Sequence, residues 1–307
     1  MKKRKIIIGS RGSKLALLYA EKAKKKLIEF FDDRAFENID IKKISTEGDS
    51  VTDRRVSEIG GKGSFSKNIE NELIGKKIDL AVHALKDMPC DETKGLITNC
   101  FLERNDSREV LISKNKISLD ELSEGALIGT SSYRREFQLK NKRSDIDCKL
   151  IRGNIDTRIN KLNNGLYDAI ILSLAGINFL QLTNYVSQIF STSELIPSAG
   201  QGIIALQCRE DDIEMLDLLK KVNHEPTYKR AAAERSVLKV LEGDCETAVG
   251  VHSKINDENI ELEAELFSID GKKRYYKKMK KKISQAKDLG LEVGEILKQE
   301  ANNSYKK

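Results

Sequence analysis

The sequence predicts an α/β chain in three parts: two α/β domains built on mixed sheets, then a small α+β domain at the C-terminal end. Three observations carry that prediction. Short apolar runs alternate with helix-period segments through the first two-thirds of the chain. The alternation restarts near residue 110. From about residue 227 it gives way to one strong helix, three strand-like runs and a closing helix.

Residues 6–9 read as a buried strand, and the helical period after Ser13 falls on Leu15, Leu18, Ala23 and Leu27. A strand over 39–44, a helix over 66–74 and a strand over 78–82 complete the first βαβ rhythm. The second rhythm has strands at 110–113, 127–129, 148–151 and 169–172, with helices at 132–140 and 154–162. PSAGQG at 197–202 is a turn, and the apolar run after it reads as a strand returning to the first domain. A helix from Thr227, strands at 249–251, 260–266 and 274–281, and a helix over 284–300 form the last part. The expected domain limits are 1–100 with 198–220, 101–197, and 221–307.

Composition narrows the function classes. No apolar run reaches the roughly 18 residues of a membrane span. The basic start before Ile6 is followed by only three isoleucines, too short for a secretion signal, so a cytoplasmic protein is expected. Five scattered cysteines without a CxxC pair argue against a disulfide framework and against a metal site. The net charge of +6 is local: residues 272–282 hold eight basic side chains and no acid, and the rest of the chain is near −2. That run reads as a lysine-guarded strand edge rather than a nucleic-acid patch.

The chemistry-bearing residues gather at strand-to-helix junctions. Arg11 follows the first strand; Arg134 and Arg135 follow Thr130 and Ser132; Arg152 and Arg158 flank another junction. Open α/β sheets bind ligands outside the carboxyl ends of their strands, where helix N-termini favour anions. Arginine matches carboxylates bidentately. The pattern therefore describes a site for a carboxylate-rich ligand. Lys86 and Asp87 end a strand at the same edge, and an Asp87 held ionised by cations suits stabilisation of a developing positive charge. His83 reads as a satisfied core histidine. GGKG at 60–63, in the polar stretch 46–64, reads as a lid over the cleft.

Eight segments, in order, resemble the porphobilinogen deaminase (hydroxymethylbilane synthase) family along nearly the whole chain. They are RGSKLA at 11–16, GGKGSF at 60–65, VHALKDMP at 82–89, GTSSYRR at 129–135, LIRGNIDTR at 150–158, DAIIL at 168–172, PSAGQG at 197–202, and ERS at 234–236 with LEGDC at 241–245. The resemblance implies two periplasmic-binding-protein-like α/β domains plus the small α+β domain, and a monomer. It implies a covalent dipyrromethane cofactor on a thioether to Cys245. Four porphobilinogen units would each lose ammonia and be joined to this primer before hydrolysis releases the linear tetrapyrrole. Carried over by position, Asp87 is the catalytic carboxylate. Cys245, Lys86, Asp87, Thr130, Ser132, Arg134, Arg135 and Arg158 are expected at the cofactor. Arg11, Ser13, Arg152, Arg158, Lys62 and Phe65 are expected at the substrate.

The chain departs from the family pattern at Tyr19 (usually Gln), Glu58 (often Lys) and Ala84 (usually Ser). The attachment loop, commonly GGCxxP, reads GDCETA at 243–248, and Asp244 beside the thiol is expected to raise its pKa. The rival reading is a non-catalytic two-lobed anion-binding protein, which explains the lobes and arginines but neither Cys245 nor the third domain.

Overall fold

The computed structural model describes residues 4–30, 36–46, 63, 65–243 and 246–306. Three sheets organise them. The first has the order β2 (Phe36–Ile44), β1 (Arg4–Arg11), β3 (Leu80–Ala84), β10 (Ile204–Arg209), β4 (Leu96–Phe101). β1 runs parallel to β2 and β3, whereas β10 lies antiparallel between β3 and β4. The strand after the PSAGQG turn thus does return to the first sheet.

The apolar periodicity explains the layers. On one face α1 (Lys14–Glu29) buries Ala20, Ala23 and Leu27 against Ile6, Ile8 and Val82. On the other, α2 (Lys67–Ile74) buries Ile69 and Leu73 against Ile44 and Ala81.

The second sheet repeats the arrangement: β7 (Asp147–Lys149), β6 (Leu127–Gly129), β8 (Ala169–Ser173), β5 (Glu109–Ser113), β9 (Gln188–Ile189). Here too the fourth strand, β5, is antiparallel to its neighbour β8. Helices α3 (Tyr133–Lys142), α4 (Ile155–Asn163) and α5 (Leu174–Phe179) follow β6, β7 and β8. The N-termini of these three helices therefore open at the carboxyl edge of the parallel strands. The short α5 follows β8 directly, with no polar spacer to mark it in the sequence.

Helix α6 (Ile213–Val222) is capped by Asp212, whose side chain accepts from the Met215 N–H, and packs beside α1. Helix α7 (Glu225–Leu241) then leads to the third sheet: β11 (Val249–Asn256), β12 (Asn259–Phe267) and β13 (Arg274–Lys282), all antiparallel. One face is covered by α7 and α8 (Ala286–Ala301). The two helices approach so closely that a Cβ at Gly290 would lie 2.0 Å from the Ala233 carbonyl oxygen. The basic run 272–282 contains the edge strand β13, tied to β12 by Lys278–Glu261 at 2.9 Å and Arg274–Glu265 at 2.7 Å.

Two chain crossings join the first sheets, and they bond to each other. Asn105 N–H and its side-chain amide both donate to the Gly202 carbonyl, at 2.8 and 3.0 Å. Gly202 has φ +82°, and a Cβ there would sit 2.5 Å from the Asn105 carbonyl oxygen, so only glycine fits. The fully buried Glu234 of α7 accepts from Arg104 (2.6 Å), the Gly200 N–H (2.8 Å) and Ser253 of β11 (2.7 Å). One carboxylate so ties both crossings to the third sheet.

Candidate active site

The carboxyl ends of β1 and β3 bring Arg11 and Asp87 together. Asp87 lies in a single 3₁₀ turn, Leu85–Asp87, directly after β3. Its carboxylate is 3.9 Å from the Arg11 guanidinium, too long for a hydrogen bond, and its side chain is 36% exposed. Arg11 instead stacks on Phe65, 4.0 Å from the ring centroid. Ser13 caps α1, accepting from the Ala16 N–H at 3.3 Å. These groups line one cleft with Tyr19, Ser66, His83 and Ala84.

Lys86 turns toward the other sheet and donates to Gln201 Oε1 at 3.2 Å. Gln201 is fully buried and in turn donates to the Ser107 carbonyl at 2.7 Å. Burial lowers the Lys86 pKa to about 8; Asp87 and Glu109 oppose the shift, while Arg135 and Arg134 deepen it.

Arg134 and Arg135 are both buried, and both meet a residue that nothing in the local sequence singles out, Glu109. Arg135 Nη2 and Nε donate to the Glu109 carboxylate at 2.7 and 3.1 Å, and its Nη1 donates to the Ile171 carbonyl at 3.1 Å. Arg134 Nη2 reaches the same carboxylate at 2.7 Å, with Nη1 on the Ile196 carbonyl at 3.0 Å. Burial alone would push the Glu109 carboxyl up, but Arg135, Arg134 and Lys86 outweigh it and hold it down at about 2. Glu109 begins β5, and because β5 runs antiparallel its first residue falls opposite Ser173, at the carboxyl edge of β8.

Thr130 is buried and accepts from the Ser132 N–H at 3.2 Å, while Ser132 caps α3 through the Arg135 N–H at 3.5 Å. Arg152 is buried at the β7–α4 junction. Arg158 donates to the Gly153 carbonyl at 2.8 Å. Burial, then Arg135 and Arg152, push the Arg158 pKa down to about 10, against the pull of Asp87. Among the described residues, cations of both sheets thus gather near Asp87 and Glu109.

Lys62, Glu58, Asp244 and Cys245 lie outside the described residues, as does the expected lid at 60–63 apart from Gly63. Gly243, two residues before Cys245, is described: its carbonyl accepts from the Cys90 thiol at 3.7 Å, and Cys90 is three residues past Asp87. Arg235 of α7 donates to the Pro89 and Cys90 carbonyls, fastening the third domain to this segment. Tyr19 packs edge-on against Phe179 of α5, with ring centroids 4.8 Å apart, so this departure joins helices of the two sheets. His83 is buried as expected, with Gln207 as its side-chain partner, and burial lowers its pKa to about 4.

Residues 6–217 match the family model described as porphobilinogen deaminase, dipyromethane cofactor binding domain. Residues 228–299 match that of the porphobilinogen deaminase C-terminal domain. The chain belongs to the porphobilinogen deaminase family. It is 42% identical over 302 residues to the porphobilinogen deaminase of Staphylococcus epidermidis, covering 97% of this chain and 96% of the other. It is 43% identical over 271 residues to that of Bacillus subtilis, covering 88% and 85%. As a member of the porphobilinogen deaminase family the chain is a transferase of tetrapyrrole biosynthesis, and it carries the family's dipyrromethane cofactor-binding domain. The activity this supports is that of hydroxymethylbilane synthase, not of a non-catalytic anion-binding protein. Among solved structures, a probable amino-acid transporter extracellular-binding protein from Bacillus subtilis is similar over 78% of this chain and 97% of its own, at 14% identity and a TM-score of 0.44. That degree of likeness decides nothing, and the fold rests on the sheets themselves. Among the described residues no helix is long and apolar enough to cross a membrane.

Proposed function

We propose that the cationic cluster around Asp87 holds the carboxylates of a Cys245-linked dipyrromethane and of incoming porphobilinogen, and that Asp87 is the catalytic group. The observation that carries this is the gathering of cations on both sides of Asp87. Arg11 lies 3.9 Å from its carboxylate, and Lys86 and Arg158, whose pKa values are lowered first by burial, feel both Asp87 and the neighbouring Arg135. Each ring of a dipyrromethane carries an acetate and a propionate, so such a ligand needs several cationic partners.

Bound, the dipyrromethane supplies the terminal ring to which each new unit is joined. Three of the five Arg135 N–H donors are engaged by Glu109 and the Ile171 carbonyl, which fixes the guanidinium and leaves its other edge for a ligand carboxylate. Lys86, Thr130, Ser132, Arg134, Arg135 and Arg158 are assigned to the primer. Arg11, Ser13, Arg152, Arg158, Lys62 and Phe65 are assigned to the substrate. When porphobilinogen loses ammonia, positive charge spreads over its pyrrole. Asp87, partly open to the cleft, accepts the pyrrole N–H and stabilises that charge. Held by Lys86, Thr130, Ser132, Arg134, Arg135 and Arg158, the primer would supply the ring carbon that takes the place of the lost ammonia and gives up its proton, and water would release the finished product.

The reading includes the domain limits 1–100 with 198–220, 101–197 and 221–307, a monomer acting in the cytoplasm, and no nucleic-acid partner. Support for Cys245 as the attachment point is the stem of its loop, held at Gly243 beside the segment that follows Asp87. The test is the intact mass of the purified protein. A covalent adduct of two pyrrole units is expected, and Cys245→Ser should lack it. An unmodified wild-type chain that cannot be loaded with primer refutes the reading.

A further inference from the structure

The basic run 272–282 takes no part in the chemistry above, and the fold gives it a definite shape. Its main part is β13, nine residues long, at the edge of the third sheet. Its register with β12 is unbroken from Arg274 to Lys282, and no proline or glycine interrupts it. A long, regular edge of this kind presents a row of backbone donors and acceptors to which another strand can add.

The two faces of β13 differ. Tyr275 and Met279 pack on the third core, and Lys281 pairs with Glu292 of α8. Arg274, Tyr276, Lys278, Lys280 and Lys282 stand on the opposite, exposed face. The neighbour β12 answers both faces. Its Ile260, Leu262, Ala264 and Leu266 are fully buried, and its Glu265, Glu263 and Glu261 lie across from Tyr276, Lys278 and Lys280. Each of those acids already has a partner. Glu265 accepts from Arg274 at 2.7 Å, Glu261 pairs with Lys278 at 2.9 Å, and Glu263 accepts from the Tyr276 hydroxyl at 2.8 Å. Among the described residues no ion pair engages Lys280 or Lys282.

We propose that the free edge of β13 is a docking surface for an acidic segment of another protein, which adds to the third sheet as a fourth strand. The pattern of the occupant follows from β12, the strand already paired there. It carries Glu or Asp at alternate positions, opposite Lys278, Lys280 and Lys282, with small apolar residues between them. Main-chain hydrogen bonds along the edge supply attraction, and the alternating side chains supply selection. A second copy of β13 is rejected by its own charge, because pairing the two edges sets lysine against lysine. A nucleic-acid strand fits less well. Tyr276, the exposed ring of the strand, has the Arg274 guanidinium 5.1 Å from its centroid and its hydroxyl bound to Glu263, which leaves no row of rings for bases.

The experiment uses the full-length, cofactor-loaded enzyme and a peptide of nine residues, the length of β13, in which Glu alternates with Val and Thr. The controls are the same peptide with Lys in place of Glu, a peptide of equal composition with its glutamates in one block, and oligouridylate. The alternating peptide should bind about tenfold or more tightly than each control, and about tenfold less tightly in high salt than in low. On binding, every second amide over 274–282 should gain protection from hydrogen exchange, the mark of a strand added at the edge. Lys280→Glu combined with Lys282→Glu should lower the affinity about tenfold or more while turnover stays as in wild type. Absence of binding, equal binding of the block peptide or of oligouridylate, or binding without the alternating protection overturns the proposal. The run is then a solvated guard or a diffuse cationic surface. Self-association of the enzyme through the same amides overturns it as well. The wild-type readings decide the matter even where the double variant fails to fold.

Discussion

Glu109 changes what the neighbouring arginines mean. Without it, Arg134 and Arg135 would be two buried like charges, each held by a single backbone carbonyl bond from its Nη1. With it they form one rigid, net-cationic unit whose shape is set before any ligand arrives. Glu109→Gln leaves two buried guanidiniums short of a counter-charge and should destabilise the fold by about 3–5 kcal/mol in denaturant titrations. The pH sign follows from a carboxyl held at about 2 in the folded state. Its contribution is fully present above its ordinary value near 4.5 and fades as pH falls toward 2. The acid-side loss of stability should therefore be shallower in the variant. Asp87 behaves in the opposite way. Among the described residues it makes no tight pair in the cleft, so Asp87→Asn should keep the fold and, with preassembled primer supplied, the two-ring adduct. Its turnover should nonetheless fall by about a hundredfold or more. Near-normal turnover in that variant removes Asp87 from its role.

At the scale of elements, what was legible in the sequence is what is local. The Ser13 cap, the α1 period, the arginines after β6 and β7, and the edge character of β13 all follow from neighbours within one turn or strand. What was not legible is what sheet order alone creates. Glu109 reaches the site only because β5 inserts antiparallel beside β8, and Gln201 only because its turn precedes β10, which crosses back beside β3. Strand β4 carries Thr98 and Asn99 between its apolar residues, which blurs the alternation. The third apolar strand starts at Leu80 rather than 78, because Asp79 spends its carboxylate on the Ile7 N–H before the ladder begins. His83, between apolar neighbours, was legible as a core residue: it is buried beside Gln207 of β10.

For the whole molecule, two of the buried carboxylates, Glu109 and Glu234, make a testable contrast. Glu109 acts inside the second sheet's half, whereas Glu234 joins three parts: Arg104 on one crossing, Gly200 on the other and Ser253 in the third sheet. Burial pushes the Glu234 carboxyl up, but Arg104 and the converging donors hold it below the ordinary range. The charged form is therefore the one the junction is built around. Glu234→Gln keeps the shape, removes the charge and strands Arg104, whose side chain is only 3% exposed. The loss should again be about 3–5 kcal/mol. The location of the damage separates the variants. Glu234→Gln should open both crossings, 102–108 and 198–203, to limited proteolysis and let the third domain melt apart from the rest. Glu109→Gln should lower stability while those crossings stay protected. Equal protection of both crossings in the two variants would mean that Glu234 stabilises its own helix only, and that the domains are held in register by other contacts.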